Sequence, residues 1–289
     1  MTILEKIYKN NTKEAFKDII KKYKEQGFGV VNYLYFANLV SNGIISGKKV
    51  NREFLEALGT GDFLLPDGIA LQLYYKKYFG LSLSNLNGTD FTEYILKNLK
   101  SDEYNLILYG AKKEVIEKAV LNIEQKYGIK IAYFQDGYSE FDFEKLESIL
   151  GDFYIPSMSS KTQPIGSSSN RDSNSFPPCQ ENNKSPEVST EKNKKNASEK
   201  INILMVGLGT PKQEIWIKNN LENIKKYNLL AFSQGGTFDF WAGNEKRAPQ
   251  IFINLKLEWL WRFITNPRKN FKKVWYSLYL FYYLYGKRR

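Results

Sequence analysis

The sequence predicts an α/β fold: a mostly parallel sheet with helices on both faces. Short apolar runs, each closed by Gly, Pro or Asp, recur along the chain. Segments with apolar residues at helical spacing lie between them. Most of the runs are apolar throughout rather than alternating, as strands buried on both faces require.

The first run is Gly29–Asn32, GVVN, followed by mixed apolar spacing over Ala37–Gly47 that is compatible with a helix. Phe63–Leu65 is a strand that ends at the Pro66-Asp67-Gly68 turn, and Ile69–Tyr78 has helical character. Asn105–Tyr109, NLILY, is a buried strand closing on Gly110. In Lys112–Tyr127 the apolar residues Val115, Ile116, Ala119, Val120 and Ile123 mark one face of a helix. Lys130–Phe134 is the next strand and runs into Asp136-Gly137-Tyr138. Ile201–Val206 ends in Gly207-Leu208-Gly209, Gln213–Lys226 reads as a helix, and Leu229–Ser233 ends at Gly235-Gly236.

With 289 residues, 42% of them hydrophobic, the chain can bury one sizeable core or two small ones. Residues 157–199 are dense in Ser, Asn, Lys and Pro, and are expected to be a disordered insertion. Because the insertion separates a helix from a strand, it does not divide the fold. The expected organisation is an α/β domain over 1–245 and a basic appendage over 246–289. That appendage holds eleven Lys or Arg and one acid, Glu258, so it carries +10 of the chain's net +11.

A basic end on a nearly neutral body points to an anionic partner. In the appendage, Arg262, Arg268, Lys269, Lys272 and Lys273 interleave with Trp259, Trp261, Phe263, Phe271 and Trp275. Such a segment suits an anionic membrane surface. A helix packed on the core and a single-stranded nucleic-acid site are the competing readings, and nucleic acid is the least expected of the three. Val274–Tyr285 is too short and too rich in Tyr to span a bilayer and reads as an interfacial segment. The N-terminal residues lack the apolar core of a signal peptide.

The chain has no His and one Cys, Cys179. That removes the Ser-His-Asp arrangement and the usual zinc ligands, so a protein-held zinc site is not expected; no cofactor is expected either. Proton transfer falls to Asp, Glu, Tyr or Lys. Four glycine turns follow strands, at 66–68, 109–113, 206–214 and 233–240. In an open parallel sheet all four line the carboxyl edge, where backbone amides and helix N-termini receive phosphates. Each turn alone is an ordinary βα connection; four in register suggest a nucleotide or nucleotide-sugar. Asp67 is the candidate base, and capping of the next helix explains it equally well. Asp136 and Asp239 are weaker candidates, and Gln213 could bind a hydroxyl or a phosphate.

The blocks LLPDGIAL, NGTDF, LYGAKKEVIEKA, VGLGTPKQE, GGTFDFWAGNEKRAP and LEWLWRFITNPRK together resemble the WecG/TagA/CpsF glycosyltransferases, glycosyltransferase family 26. The resemblance covers nearly the whole chain outside the insertion. It implies a Rossmann-like fold with a basic, aromatic, helical C-terminal appendage. The implied enzyme is an inverting, metal-independent hexosyltransferase. It would move an N-acetylhexosamine of the N-acetylmannosamine type from a UDP-sugar to an undecaprenyl-diphosphate-linked sugar, in teichoic acid or cell-surface polysaccharide synthesis. It would work as a peripheral protein on the cytoplasmic face of the plasma membrane, alone or as a homo-oligomer.

On this resemblance Asp67 matches the catalytic base. Asn32, Gly68, Gly110, Tyr138, Gly207, Gly209, Gln213, Gly236 and Asp239 fall at the donor. Arg262, Lys269 and Lys272 fall at the acceptor diphosphate and membrane. Two positions depart from the pattern: Asn32-Tyr33-Leu34 stands for Thr-X-Asn, and Asn85 stands for an arginine. These departures leave open a non-catalytic module that binds a nucleotide or an anionic surface.

Overall fold

The computed structural model describes residues 3–46, 49–98, 100, 102–151 and 200–286. The expected insertion 157–199, with Cys179, lies outside them.

The elements follow in chain order. α1 (Thr12–Gln26) leads to β1 (Gly29–Tyr35), α2 (Phe36–Ser41) and α3 (Arg52–Gly59). β2 (Phe63–Asp67) precedes α4 (Ile69–Phe79) and α5 (Gly88–Asn98). β3 (Tyr104–Gly110), α6 (Lys113–Tyr127), β4 (Ile131–Gln135) and α7 (Phe143–Leu150) follow. β5 (Ile201–Gly207), α8 (Lys212–Asn219), α9 (Leu221–Lys226) and β6 (Leu229–Ser233) complete the sheet. α10 (Thr237–Trp241), α11 (Gln250–Asn254), α12 (Glu258–Thr265) and α13 (Pro267–Phe281) close the chain.

The six strands form one parallel sheet in the order β2-β1-β6-β5-β3-β4. This is the α/β, Rossmann-like class that the sequence predicts. Alternate strand residues divide between two layers. Val31, Tyr33, Leu106, Leu108, Ile203, Met205 and Phe232 pack under α1, α5, α6 and α10. Val30, Ile107, Leu204, Val206 and Leu229 pack under α7, α8 and α9. A third cluster joins Leu34 and Leu64 to α2, α3, α4 and Leu280 and Tyr283 of the C-terminal segment.

Several elements differ from expectation. β1 runs to Tyr35, three residues past GVVN. The helix expected over Ala37–Gly47 spans Phe36–Ser41. Gln213–Lys226 is two helices, and Asn220 breaks them by turning its side-chain amide onto the Trp216 carbonyl at 3.0 Å. α1 shows its buried face in Ala15, Ile19 and Tyr23, spaced i, i+4, i+8, and is capped by Asn11, which accepts from the Glu14 N–H.

α13 has two unlike faces. Asn270, Leu280 and, just past the helix end, Tyr283 are buried inward. Phe271, Trp275, Leu278, Tyr282 and Tyr285 recur at i, i+4, i+7, i+11 and i+14 and stay exposed. Among the described residues no helix is long and apolar enough to cross a membrane.

Candidate active site

β3 leads through α6 to one edge of the sheet, and β5, its neighbour, leads through α8 and α9 toward the other. Adjacent strands that diverge in this way open a crevice at their carboxyl ends. A cleft of about 650 Å³ lies there. Its walls include Tyr33 and Tyr35 of β1, Asp67 at the end of β2 with Gly68 after it, and the 207–210 and 233–240 turns. Trp259 and Arg262 of α12 and Val274, Leu278 and Phe281 of α13 close the far side.

Asp67 is the last residue of β2 and pairs in register with Tyr35. Gly68 follows with φ +86°, a left-handed conformation that favours glycine. The Gly68 N–H donates to the Asn85 side-chain oxygen at 2.9 Å, so the residue standing in place of an arginine ties down the turn beside Asp67. The phenols of Tyr33 and Tyr35 are both held well above the ordinary tyrosine range, mainly by burial, and the charge of Asp67 adds to the effect. Both hydroxyls therefore stay protonated at neutral pH and serve as hydrogen-bonding groups rather than bases.

The β5–α8 turn carries a polar network. The Gln213 side-chain oxygen accepts the Gly209 N–H at 3.0 Å, and its amide donates to Glu214 Oε1 at 3.0 Å. The Thr210 hydroxyl donates to the same oxygen at 3.0 Å. Gln213 and Glu214 are 2% and 1% exposed. Burial pushes the Glu214 carboxyl up to about 7, against the pull of its hydrogen bonds, including those from Gln213 and Thr210. A second network lies below β6: the Gln234 amide donates to the Tyr33 and Thr92 hydroxyls, and the Thr237 hydroxyl donates back to Gln234. Arg247 spans Asp90 and Glu93 of α5 at 2.5 and 3.2 Å and joins the cleft wall.

Of the residues expected at the site, Asp67, Gly68, Gly207, Gly209, Gln213, Gly236, Asp239 and Arg262 line this cleft together. Asn32 does not. It shares the β1 face of Val30 and Leu34, is fully buried, and donates to the Ala57 carbonyl of α3 at 3.3 Å. The two residues of β1 that reach the cleft are Tyr33 and Tyr35, one step out of phase with Asn32. Gly110 is also outside the wall, because it packs directly on Gly207 of the neighbouring strand. Tyr138 stands 77% exposed outside the cleft wall, although its neighbour Gly137 packs against Leu208 and Gly110. Lys272 is exposed on α13 away from the cleft wall, and the side chain of Lys269 lies outside the described set. Tyr33, Tyr35 and Glu214 were not singled out from the sequence; the PKQE block was the only available pointer to Glu214.

A glycosyl transferase model, WecG/TagA/CpsF, matches residues 1–152 and 175–289. The chain belongs to the WecG/TagA/CpsF family. Within it, the chain is 28% identical over 262 residues to an N-acetylglucosaminyldiphosphoundecaprenol N-acetyl-beta-D-mannosaminyltransferase of Bacillus subtilis strain 168. That alignment covers 90% of this chain and 81% of the relative. A protein of the same description from Bacillus spizizenii strain W23 is 26% identical over 220 residues, covering 76% and 66% respectively. This WecG/TagA/CpsF protein is therefore a glycosyltransferase whose family blocks converge on one cleft. LLPDGIAL supplies Asp67 and Gly68, VGLGTPKQE supplies the Gln213–Glu214 network, and GGTFDFWAGNEKRAP supplies Gly236, Asp239 and Arg247.

Proposed function

We propose that this protein transfers an N-acetylhexosamine, of the N-acetylmannosamine type, from a UDP-sugar to an undecaprenyl-diphosphate-linked sugar. The product would enter teichoic acid or another cell-surface polysaccharide. The carrying observation is that Asp67 lines one cleft together with glycine turns on one set of elements and with aromatic and basic residues of α12 and α13. The 207–213 turn and the N-terminus of α8 receive the donor diphosphate through backbone amides. Gln213 and Asp239 orient the donor, and Tyr138, exposed outside the cleft wall, would have to reach the nucleotide base from there. Asp67 takes the proton of the acceptor hydroxyl as it attacks the anomeric carbon from the face opposite the leaving UDP, which inverts that centre. This base needs neither a metal nor a cofactor. Arg262, together with Lys269 and Lys272, neutralises the acceptor diphosphate.

A direct test supplies purified protein with UDP-N-acetylmannosamine and a short-chain lipid-diphosphate N-acetylglucosamine. UDP released only when acceptor is present supports transfer. UDP-sugar binding without turnover supports instead the non-catalytic module suggested by the unusual residues at 32 and 85.

The exposed stripe of α13 supports a peripheral position on the inner membrane face. Aromatic rings favour the headgroup region, and nearby cations add ~1 kcal/mol each on an anionic leaflet. Replacing Phe271 and Trp275 together by Ser is expected to weaken binding to anionic vesicles at least roughly tenfold, ~1.4 kcal/mol. Thermal stability should change little, because both rings are more than half exposed. Vesicle flotation with and without anionic lipid measures it, and unchanged flotation of the double variant would count against this face.

A further inference from the structure

Glu214 is a buried acid with one overused oxygen and one idle one. Oε1 accepts from both the Gln213 amide and the Thr210 hydroxyl. Oε2 is buried with no hydrogen-bond partner among the described residues. The charged groups on the elements packed against α8 leave it alone. Glu56 of α3 pairs with Lys218. Arg52 and Glu53 of α3 make no ion pair with it among the described residues, and neither do Lys212 of α8 or Glu222, Lys225 and Lys226 of α9. β5 and β6 carry no charge. Across the cleft stand the Tyr35 phenol, which senses the Glu214 charge, the acids Asp67, Asp90, Asp239, Glu245 and Glu258, and the cations Lys246, Arg247 and Arg262; none of the three cations forms an ion pair with Glu214 among the described residues. A lone buried carboxylate with no cation is strongly disfavoured. A proton on Oε2 removes that charge and leaves Oε1 free to keep both of its hydrogen bonds.

We propose that Glu214 is a positioning residue that works protonated, holding Gln213 and the Gly209–Thr210 turn for an anionic diphosphate and repelling that ligand once ionised. This rests on the donor site described above. The 207–213 turn would receive two negative charges beside this acid, so ligand binding and the proton on Glu214 favour each other. Burial pushes the carboxyl up to about 7. Apparent donor affinity should therefore fall roughly tenfold for each pH unit above about 7, as the competent fraction shrinks.

The experiment uses the whole protein and UDP-N-acetylmannosamine, whose diphosphate diester keeps a constant charge across neutral pH. Infrared difference spectra between wild type and Glu214→Gln follow the protonated carboxyl band as pH is varied. Kinetics give the donor KM and kcat over the same range. The expected band disappears near neutrality without donor and persists to higher pH with donor. The wild-type KM rises on the alkaline side, and Glu214→Gln, a permanent mimic of the neutral acid, keeps the low KM at every pH. Glu214→Ala raises KM at all pH values and moves kcat less. A carboxyl ionised throughout the neutral range, or a Glu214→Gln enzyme with the wild-type alkaline rise, overturns the proposal. If Glu214→Gln does not fold, the wild-type band and its response to donor decide alone. A band that titrates as expected in protein that binds donor, yet ignores it, overturns the coupling. Failure of the wild type to bind donor at all removes the donor-site reading, and the coupling with it.

Discussion

Replacing Asp67 by Asn is expected to lower transfer by roughly 10²–10⁴-fold, the range typical of a lost general base, while UDP-sugar binding stays within about a factor of three. The amide keeps the shape of the carboxylate at the end of β2 but cannot take a proton from an attacking hydroxyl. Asp67→Ala should lose transfer to the same extent. The split between binding and turnover is the informative part, because Gly68 is anchored separately by Asn85. The turn proposed to receive the diphosphate, and the 233–240 turn beside the cleft, follow other strands, β5 and β6. Binding is read by calorimetry with UDP-sugar, and turnover by UDP release with acceptor present. Transfer at the wild-type rate in either variant would remove Asp67 from the chemistry and return it to the role of a turn-forming residue.

The second large effect is structural. Gly110→Ala should destabilise the fold by about 4 kcal/mol or more, a large share of the ~5–15 kcal/mol that keeps most domains folded. Gly110 ends β3 at φ +129° and sits opposite Gly207 in the β3–β5 ladder. A Cβ there would lie 2.5 Å from the Gly207 carbonyl carbon and oxygen. No side chain can swing aside to relieve that contact, since both atoms are backbone and the Ala111 N–H already donates to the Gly207 carbonyl at 3.0 Å. The strands would have to separate at their most buried end. Gly236→Ala is the control: its backbone is at φ −96°, and a Cβ would meet nothing within 4 Å. Urea denaturation should show a soluble, nearly unshifted Gly236→Ala and a Gly110→Ala that is insoluble or strongly shifted. Comparable midpoints for the two would refute the packing argument.

These two glycines show where the sequence is legible and where it is not. Both follow apolar strands, and both suggest a phosphate turn. Only the sheet order, with β3 against β5, separates the glycine that meets backbone from the one that borders the cleft. The strands themselves were readable because a parallel sheet buried on two faces leaves unbroken apolar runs such as NLILY. α1 was less visible: its apolar face is diluted by five lysines in fifteen residues. Asn32 falls at the donor on the family pattern alone, which does not say which face of β1 meets the cleft; the strand, running to Tyr35, turns its odd-numbered residues Tyr33 and Tyr35 there. Glu214, marked only by the PKQE block, could not be recognised as buried, since a buried acid looks like a solvated one until the elements packed over it are known. Asp67 was the easiest to find, because the Pro-Asp-Gly turn itself marks the end of its strand.

The strand order also governs how the chain can assemble. β5 and β6 occupy the middle of the sheet, between β1 on one side and β3 on the other, yet they are the last strands in the sequence. Until they emerge, β1–β2 and β3–β4 are two separate ribbons, each offering an unpaired inner edge. Ladder partners such as Gly29 and Leu230 lie some 200 residues apart, so closure is slow and late. A ribosome stalled before residue 200 would release a chain poised to pair with its own kind, and chaperone demand during synthesis should be concentrated in that interval.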